Sequence, residues 1–254
     1  MYPEVLDQRR AQLEPAVAKL AVSANKPKRS AAHHRAAKAG KLVETANELS
    51  LHEFLARFSS PELLWHLEKY PLGYGPSAGQ TLRCLDTSDM SKSLIDSCLD
   101  LIEVTSKADY EASETGWSRV KKRKEMLLPD LKYLIFSDLS DSEGVVGFMS
   151  FMVTYEDGHE VLYVYEIHFT PSLQRSGHGK EFMSWAYGLG HNIGLEKIML
   201  TVFRQNTYAE SWYKGQGYTV DEYSPKDRVF RDGTVKKSTY VILSKSLGKP
   251  PHMV

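Results

Sequence analysis

Two long runs of β-type residues, Val145 to Glu156 and Glu160 to Phe169, stand on either side of Asp157-Gly158. An Asp-Gly pair between such runs is a strong hairpin signal, because a two-residue turn that follows the twist of the strands needs residues that tolerate positive φ. A chain that commits more than twenty residues to one hairpin must bury that hairpin against something. The flanking pattern shows what is available. Met90 to Tyr110 carries Leu94, Ile95, Cys98, Leu99, Leu101 and Ile102 at helical spacing, and Gly177 to Gly194 and Thr207 to about Lys214 read as two further helices. Leu82–Asp86, Lys132–Ser137, Lys197–Phe203, Tyr218–Tyr223 and Ser238–Leu247 read as strands. The expectation is a mixed α/β domain in which the hairpin is followed by helix, strand, helix, strand and strand.

The 254 residues suffice for one core with an appendage. With 42% hydrophobic and 25% charged residues, and no apolar run near the roughly 20 residues that cross a bilayer, neither disorder nor membrane spanning is expected. The start of the chain lacks the apolar core of a secretory signal, so the protein is expected to stay inside the cell. Cys84 and Cys98 have no partners at metal-ligand spacing and read as reduced structural thiols; no metal is expected. Net charge is zero, but Lys26, Lys28, Arg29, Arg35, Lys38 and Lys41 form an acid-free basic stretch with His33 and His34. Residues 1–45 are therefore expected to be a basic arm, either a solvated, partly helical tail or a segment for nuclear import or phosphate-backbone contact. Residues 46–247 would form the domain and 248–254 a tail. Ser60-Pro61 reads as a helix start, and Tyr70 to Gly79 as a turn-rich approach to the core.

Gln174-Arg175-Ser176-Gly177-His178-Gly179-Lys180 lies directly between a strand and a helix. Its two glycines permit a tight turn close to a ligand, and the free amides at the helix start suit a phosphate group. Competing phosphate motifs fail, since no Gly-x-x-x-x-Gly-Lys-Ser/Thr occurs and Gly179 is not followed three residues on by Gly. Gln174, Gly177 and Gly179 match the Gln/Arg-x-x-Gly-x-Gly/Ala signature of the GNAT acetyltransferases. A second element follows in order: strand Ile198 to Phe203, Asn206, Ala209, Trp212-Tyr213 and Gly217-Tyr218. The chain thus resembles the GNAT superfamily. That resemblance implies a mostly antiparallel mixed sheet of about seven strands flanked by helices and splayed between the fourth and fifth strands. Acetyl-CoA would be the cofactor, its pantetheine paired with backbone groups of Ile167, His168 and Phe169, its pyrophosphate on the loop from Gln174 to Lys180, and Asn206 hydrogen-bonded to it.

A narrower resemblance rests on Val161 to Glu166, Met199 to Phe203, Ser238 to Ser244, and Gly116-Trp117 ahead of a Lys/Arg-rich helix ending at Glu125-Met126. From about Tyr110 to Leu247 these segments are similar to the NatD family of histone N-terminal acetyltransferases. The resemblance implies transfer of acetyl to the free α-amine of histones four and two-A, whose tails begin Ser-Gly-Arg-Gly, by a monomer of the nucleus and cytoplasm. It makes Glu166 the base, directly or through a water, with Tyr165 beside it. Tyr163, Tyr165, Trp117, Thr201, Tyr240 and Glu156 would line the peptide slot. Without it, Glu166 reads as a salt-bridged or solvated strand residue, and the tyrosines as sheet packing. Alternation puts Glu166 on the face opposite Tyr163 and Tyr165, so a β-bulge is implied if all three share a site. Thr154 stands where the family has its first acid for the substrate arginine, although Asp157 is adjacent. Tyr213 occupies the position of a general acid found in many GNAT enzymes, where the family also carries phenylalanine. Two other readings stay open: transfer to another amine, such as lysine or a polyamine, and a non-catalytic chromatin-binding module.

Overall fold

The computed structural model describes residues 41–59, 80–138 and 141–248. Most of the basic stretch, the Ser60-Pro61 helix start, the segment from Tyr70 to Gly79 and all but Gly248 of the C-terminal tail lie outside the described residues. The stretch from Leu42 to Leu55, apolar at mixed helical spacing, is two helices, α1 (Leu42–Glu48) and α2 (Leu51–Phe58). The break has a local cause: Ser50 accepts from the Glu53 amide, while the Glu53 carboxylate accepts from the Ser50 amide, a capping box that starts a new helix.

Along the chain follow β1 (Gln80–Asp86), α3 (Lys92–Glu111), α4 (Arg119–Met126), β2 (Lys132–Asp138), β3 (Asp141–Glu156), β4 (His159–Phe169), α5 (His178–Ile193), β5 (Lys197–Phe203), α6 (Thr207–Gly215), β6 (Thr219–Val220), β7 (Arg228–Val229), β8 (Val235–Lys236) and β9 (Tyr240–Ser246). Seven strands form one sheet in the order β1-β2-β3-β4-β5-β9-β6, and β7 with β8 make a separate small hairpin. The β3–β4 turn is as the Asp-Gly pair predicts, with φ of 48° at Asp157 and 86° at Gly158. The strand expected over Tyr218–Tyr223 is shorter. Past Val220 the Asp221 amide still donates to the Ile242 carbonyl, while the Asp221 carboxylate pairs with Lys197 at 2.7 Å and accepts from the Tyr223 amide, which turns the chain.

Each face of the sheet carries its own core. On one side α1, α2 and α5 cover Leu162, Val164, Leu200 and their neighbours. On the other, α3 lays Leu94, Ile95, Cys98, Leu99 and Ile102 against Tyr133, Ile135, Phe148 and Met152. Every pair in the sheet is antiparallel except β4–β5, which is parallel. That pairing runs only from Val161↔Lys197 to Val164↔Leu200, although β4 continues to Phe169 and β5 to Phe203. Beyond Val164 the two strands part, and the functional cleft opens at that point.

Candidate active site

A cavity of about 770 Å³ occupies the split. Its walls come from the diverging ends of β4 and β5, the loop before α5, the first turns of α6, and the inner face of α3. A bulge in β4 decides what β4 contributes. Ser150 of β3 pairs with Glu166 and Phe151 with Val164, which leaves Tyr165 as the extra residue. Side chains alternate along a regular strand; one inserted residue resets the alternation. Tyr163, Tyr165 and Glu166 consequently all reach the cavity, as the sequence argument required. The rings of Tyr163 and Tyr165 lie 5.2 Å apart. Tyr163 and Thr201 hydroxyls meet at 2.6 Å across the β4–β5 gap. The Tyr165 hydroxyl is buried with no partner among the described residues, so a ligand group in the cavity is what would satisfy it.

Glu166 is 7% exposed and fully engaged. Oε1 accepts from Lys122 Nζ at 2.5 Å and from the Tyr110 hydroxyl at 3.2 Å. Oε2 lies 2.5 Å from His168 Nε2. An ionised carboxylate only accepts, so Nε2 carries the proton of this bond. His168 Nδ1 lies 2.7 Å from Thr105 Oγ1, which anchors the imidazole to α3. Burial alone would raise the Glu166 pKa; the Lys122 charge and the His168 hydrogen bond overcome it and hold the group at about 2.

Lys122 is the residue that sequence reasoning missed. It lies on α4, one turn before the buried Met126, and is 4% exposed. Its ammonium also donates to Glu125 Oε1 at 2.9 Å and sits 4.8 Å from the centre of the Tyr110 ring. The helix is fixed around it. Ser118 caps its start, Arg119 pairs with Asp100 and Glu103, Arg123 pairs with Asp96, and the Tyr133 hydroxyl donates to the Met126 carbonyl at its end.

The loop before α5 fits a coenzyme A. Gly177 is the N-cap of a 16-residue helix with φ of 100° and supplies no side-chain cap; the Lys180 amide donates to the Gly177 carbonyl, and the His178 and Gly179 amides are left for a ligand. Gly179 lines the cavity, and a Cβ on it would lie 3.4 Å from the Trp212 ring. Gln174 ties the loop to β4 by donating to the Phe169 carbonyl at 3.1 Å. Arg175, at φ 63°, carries its guanidinium 5.6 Å from the Tyr208 ring. Gln174, Arg175, Gly177, Gly179 and Lys180 all line the cavity, as do Ile167, His168 and Phe169, whose β5-facing edge has no ladder partner on β5. His168 turns its ring toward Glu166, away from the loop. His178 packs its ring between Phe136 and Phe169, so only its backbone is available to a phosphate. Ser176 donates to the Leu173 carbonyl and lies off the cavity wall.

Asn206 lines the cavity, but its Oδ1 caps α6 at the Ala209 amide and its Nδ2 donates to Asp109 of α3. Tyr213 is buried with its ring against Trp212 and Tyr218; burial raises the phenol pKa, and its hydroxyl has no hydrogen-bond partner among the described residues. Tyr240 completes the wall from the start of β9. Trp117 instead packs its ring on Tyr110 at 5.4 Å behind the cavity. Glu156 also lies off the cavity wall, where burial and then the charge of Asp157 push its carboxyl up to about 7. Among the described residues no cluster of three or more His, Cys, Asp and Glu could hold a metal, and no helix is long and apolar enough to cross a membrane.

A sheet split between parallel strands, with an uncapped helix N-terminus at its mouth, makes a cleft suited to a long phosphate-bearing ligand. Residues 99–218 match the model of the acetyltransferase (GNAT) family. An acetyltransferase structure from Streptococcus agalactiae 2603 superposes with a TM-score of 0.50 at 12% identity, over 66% of this chain and 98% of that one. The ribosomal-protein-S18-alanine N-acetyltransferase of Escherichia coli gives 0.45 at 16% identity, over 69% and 98%. The family match covers just under half of the chain; the fold is the α/β GNAT fold, and the cofactor is acetyl-CoA.

Proposed function

We propose that this protein transfers acetyl to the free N-terminal amine of polypeptides beginning Ser-Gly-Arg-Gly, the start of histones four and two-A. The observation that carries the reading is the bulge at Tyr165, which turns Tyr163, Tyr165 and Glu166 together into the cleft where β4 and β5 part. The segments Val161 to Glu166, Met199 to Phe203 and Ser238 to Ser244, similar to the NatD family, supply walls on both sides of that cleft. Bound there, acetyl-CoA supplies an acetyl group on a thioester, an electrophilic carbonyl. The chain's own residues do the rest. Main-chain groups of Ile167 to Phe169 and the amides at Gly177 to Gly179 would hold the cofactor. Tyr163, Tyr165, Thr201 and Tyr240 would orient the peptide start. An α-amine of pKa near ~7.7 to 8.0 is roughly a tenth neutral at pH 7, so it needs far less help to lose its proton than a lysine near ~10.4. Tyr213, which lines the cavity and whose phenol burial keeps protonated, would donate to a departing sulfur whose own pKa is about 8.5. Histone tails as substrate carry with them a place in the nucleus and cytoplasm.

Glu156 favours a second reading, action on a wider set of amines. It stands off the cavity wall with a carboxyl near 7, and Thr154 takes the place of the other acid, so selection of the substrate arginine is weaker than two ionised carboxylates would give. Bisubstrate conjugates separate the readings. Coenzyme A joined through its acetyl to the α-amine of Ser-Gly-Arg-Gly is expected to inhibit at least about 100-fold more tightly than the same linker on a lysine ε-amine or on spermidine, since one good orientation in the slot gains about 3 kcal/mol. Equal inhibition by all three would leave the wider amine reading in its place.

A further inference from the structure

The buried network contains two carboxylates, and they are not equivalent. Every oxygen of Glu166 is spoken for, by Lys122 and Tyr110 on Oε1 and by His168 on Oε2. Glu125 also lines the cavity, with its side chain 19% exposed, and uses only Oε1, on Lys122 at 2.9 Å. Its Oε2 has no donor among the described residues. We propose that Glu125, positioned by Lys122, takes the proton from the incoming ammonium, and that Glu166 is the fixed negative charge that holds Lys122 in place. The proposal rests on the amine-acetylating reading above and adds a catalytic residue to it.

Charge balance supports the assignment. Three charged groups meet in one buried cluster, a single lysine between two carboxylates. A proton arriving on Glu125 leaves Lys122 and Glu166 as a neutral, fully hydrogen-bonded pair. Three of the four acceptor positions of Glu166 are taken by Lys122, Tyr110 and His168, so a proton arriving there has only the one left on Oε2, beside the His168 donor. The surroundings act in the same direction. Glu125 faces Lys122 on its own helix, Glu166, Tyr163 and Tyr165 on β4, Tyr110 on α3 and Tyr133 on β2. Burial raises its pKa, the Glu166 charge raises it further, and Lys122 opposes both, with a net upward shift. Glu166, held at about 2, is a poor proton acceptor from an amine near ~8.

The step balances. An N–H proton of the ammonium passes to Glu125 Oε2 and frees the nitrogen lone pair. The N–C bond then forms to the acetyl carbonyl carbon as the C–S bond breaks, sulfur leaving with the electron pair and taking a proton from Tyr213, which regains the nitrogen's second proton. Glu125 returns its proton to water, so the products are an amide, a thiol and one proton.

The test is kcat/KM against pH from 6 to 9.5 for wild type, Glu125→Gln, Glu125→Asp and Glu166→Gln. Acceptors are the Ser-Gly-Arg-Gly peptide and, in parallel, spermidine, with thermal unfolding and coenzyme A binding recorded for each variant. With Glu125 as acceptor, the wild-type profile on the peptide is flat between the two pKa values. Glu125→Gln loses about 100-fold at pH 7. Its rate then climbs about tenfold per pH unit, following the neutral amine, until the amine's own pKa. Glu166→Gln lowers the rate without acquiring that slope. Should Glu125→Gln not fold, Glu125→Asp carries the test, since a shortened carboxylate moves the acid limb only if it is the acceptor. A Glu125→Gln rate within about threefold of wild type, or the steep profile in Glu166→Gln alone, overturns the assignment. Turnover of spermidine without the peptide overturns the histone reading and leaves the profile to decide the acceptor. No turnover of either amine removes both.

Discussion

Lys122→Met is expected to destabilise the protein by about 3–5 kcal/mol, lowering its melting temperature by roughly 10 °C, although the substitution puts a hydrophobic side chain of similar length into a buried position. The loss comes from what remains. Glu166 and Glu125, both facing Lys122 within 2.9 Å, would be left as two carboxylates without their cation. The triple variant Lys122→Met, Glu125→Gln, Glu166→Gln is expected to recover most of the loss, because it removes the whole charge cluster instead of one member. The pH dependence has a definite sign. The folded pKa of Glu166 is depressed to about 2, below the ~4.3 of an unfolded glutamate, so its stabilisation is complete above pH ~4.3 and is lost as pH falls toward 2. In Lys122→Met the orphaned carboxylates take up protons at higher pH, and the stability gap to wild type narrows in acid. Thermal unfolding at pH 7 and pH 4 checks both statements; an equal gap at the two pH values would place the loss in packing instead of charge.

Gly177→Val is expected to cut coenzyme A affinity by about 100-fold, with a much smaller effect on the rest of the fold. The N-cap φ of 100° is a conformation that a β-branched residue takes only under strain, of order 1–3 kcal/mol. Nothing lies within 4 Å of a Cβ built there, so the cause is backbone conformation and not collision. Relaxing that φ swings the first amides of α5 away from the phosphates. Two charge-assisted hydrogen bonds at about 1.5 kcal/mol each account for the factor of 100. Gly188→Ala on the same helix is the control: its Cβ also meets nothing, and mid-helix alanine adds about 0.5–1 kcal/mol of stability with affinity unchanged. Isothermal titration with coenzyme A compares the two.

What was legible in the sequence was local. Asp157-Gly158 announces its hairpin because the turn demands positive φ at adjacent residues, and α3 announces its buried face through the spacing of Leu94, Ile95, Cys98 and Ile102. The bulge at Tyr165 was legible only indirectly, from the requirement that Glu166 share a face with Tyr163 and Tyr165, both an odd number of steps before it. The capping box Ser50-x-x-Glu53 also stood in the sequence, inside a run whose apolar residues fall at mixed helical spacing. Lys122 was not legible. Arg119 to Met126 holds five basic residues, and such a helix reads as solvent-facing; its one buried cation is selected by Glu166, 44 residues later on another element. The same holds for Asp109, which meets Asn206 and Gln205 across the cleft, 97 and 96 residues along the chain. Partners so distant leave no periodic trace, so the acids and bases of the site were assigned from resemblance while the lysine that sets their charge went unseen.

The most direct test of the central claim is mass spectrometry of a Ser-Gly-Arg-Gly-starting histone peptide incubated with acetyl-CoA and the full chain, beside the same peptide with its α-amine blocked. A single acetyl group on the α-amine of the free peptide, with none on the blocked one, is the predicted result. Acetyl on lysine side chains of the blocked peptide, or an unmodified free peptide, would contradict it.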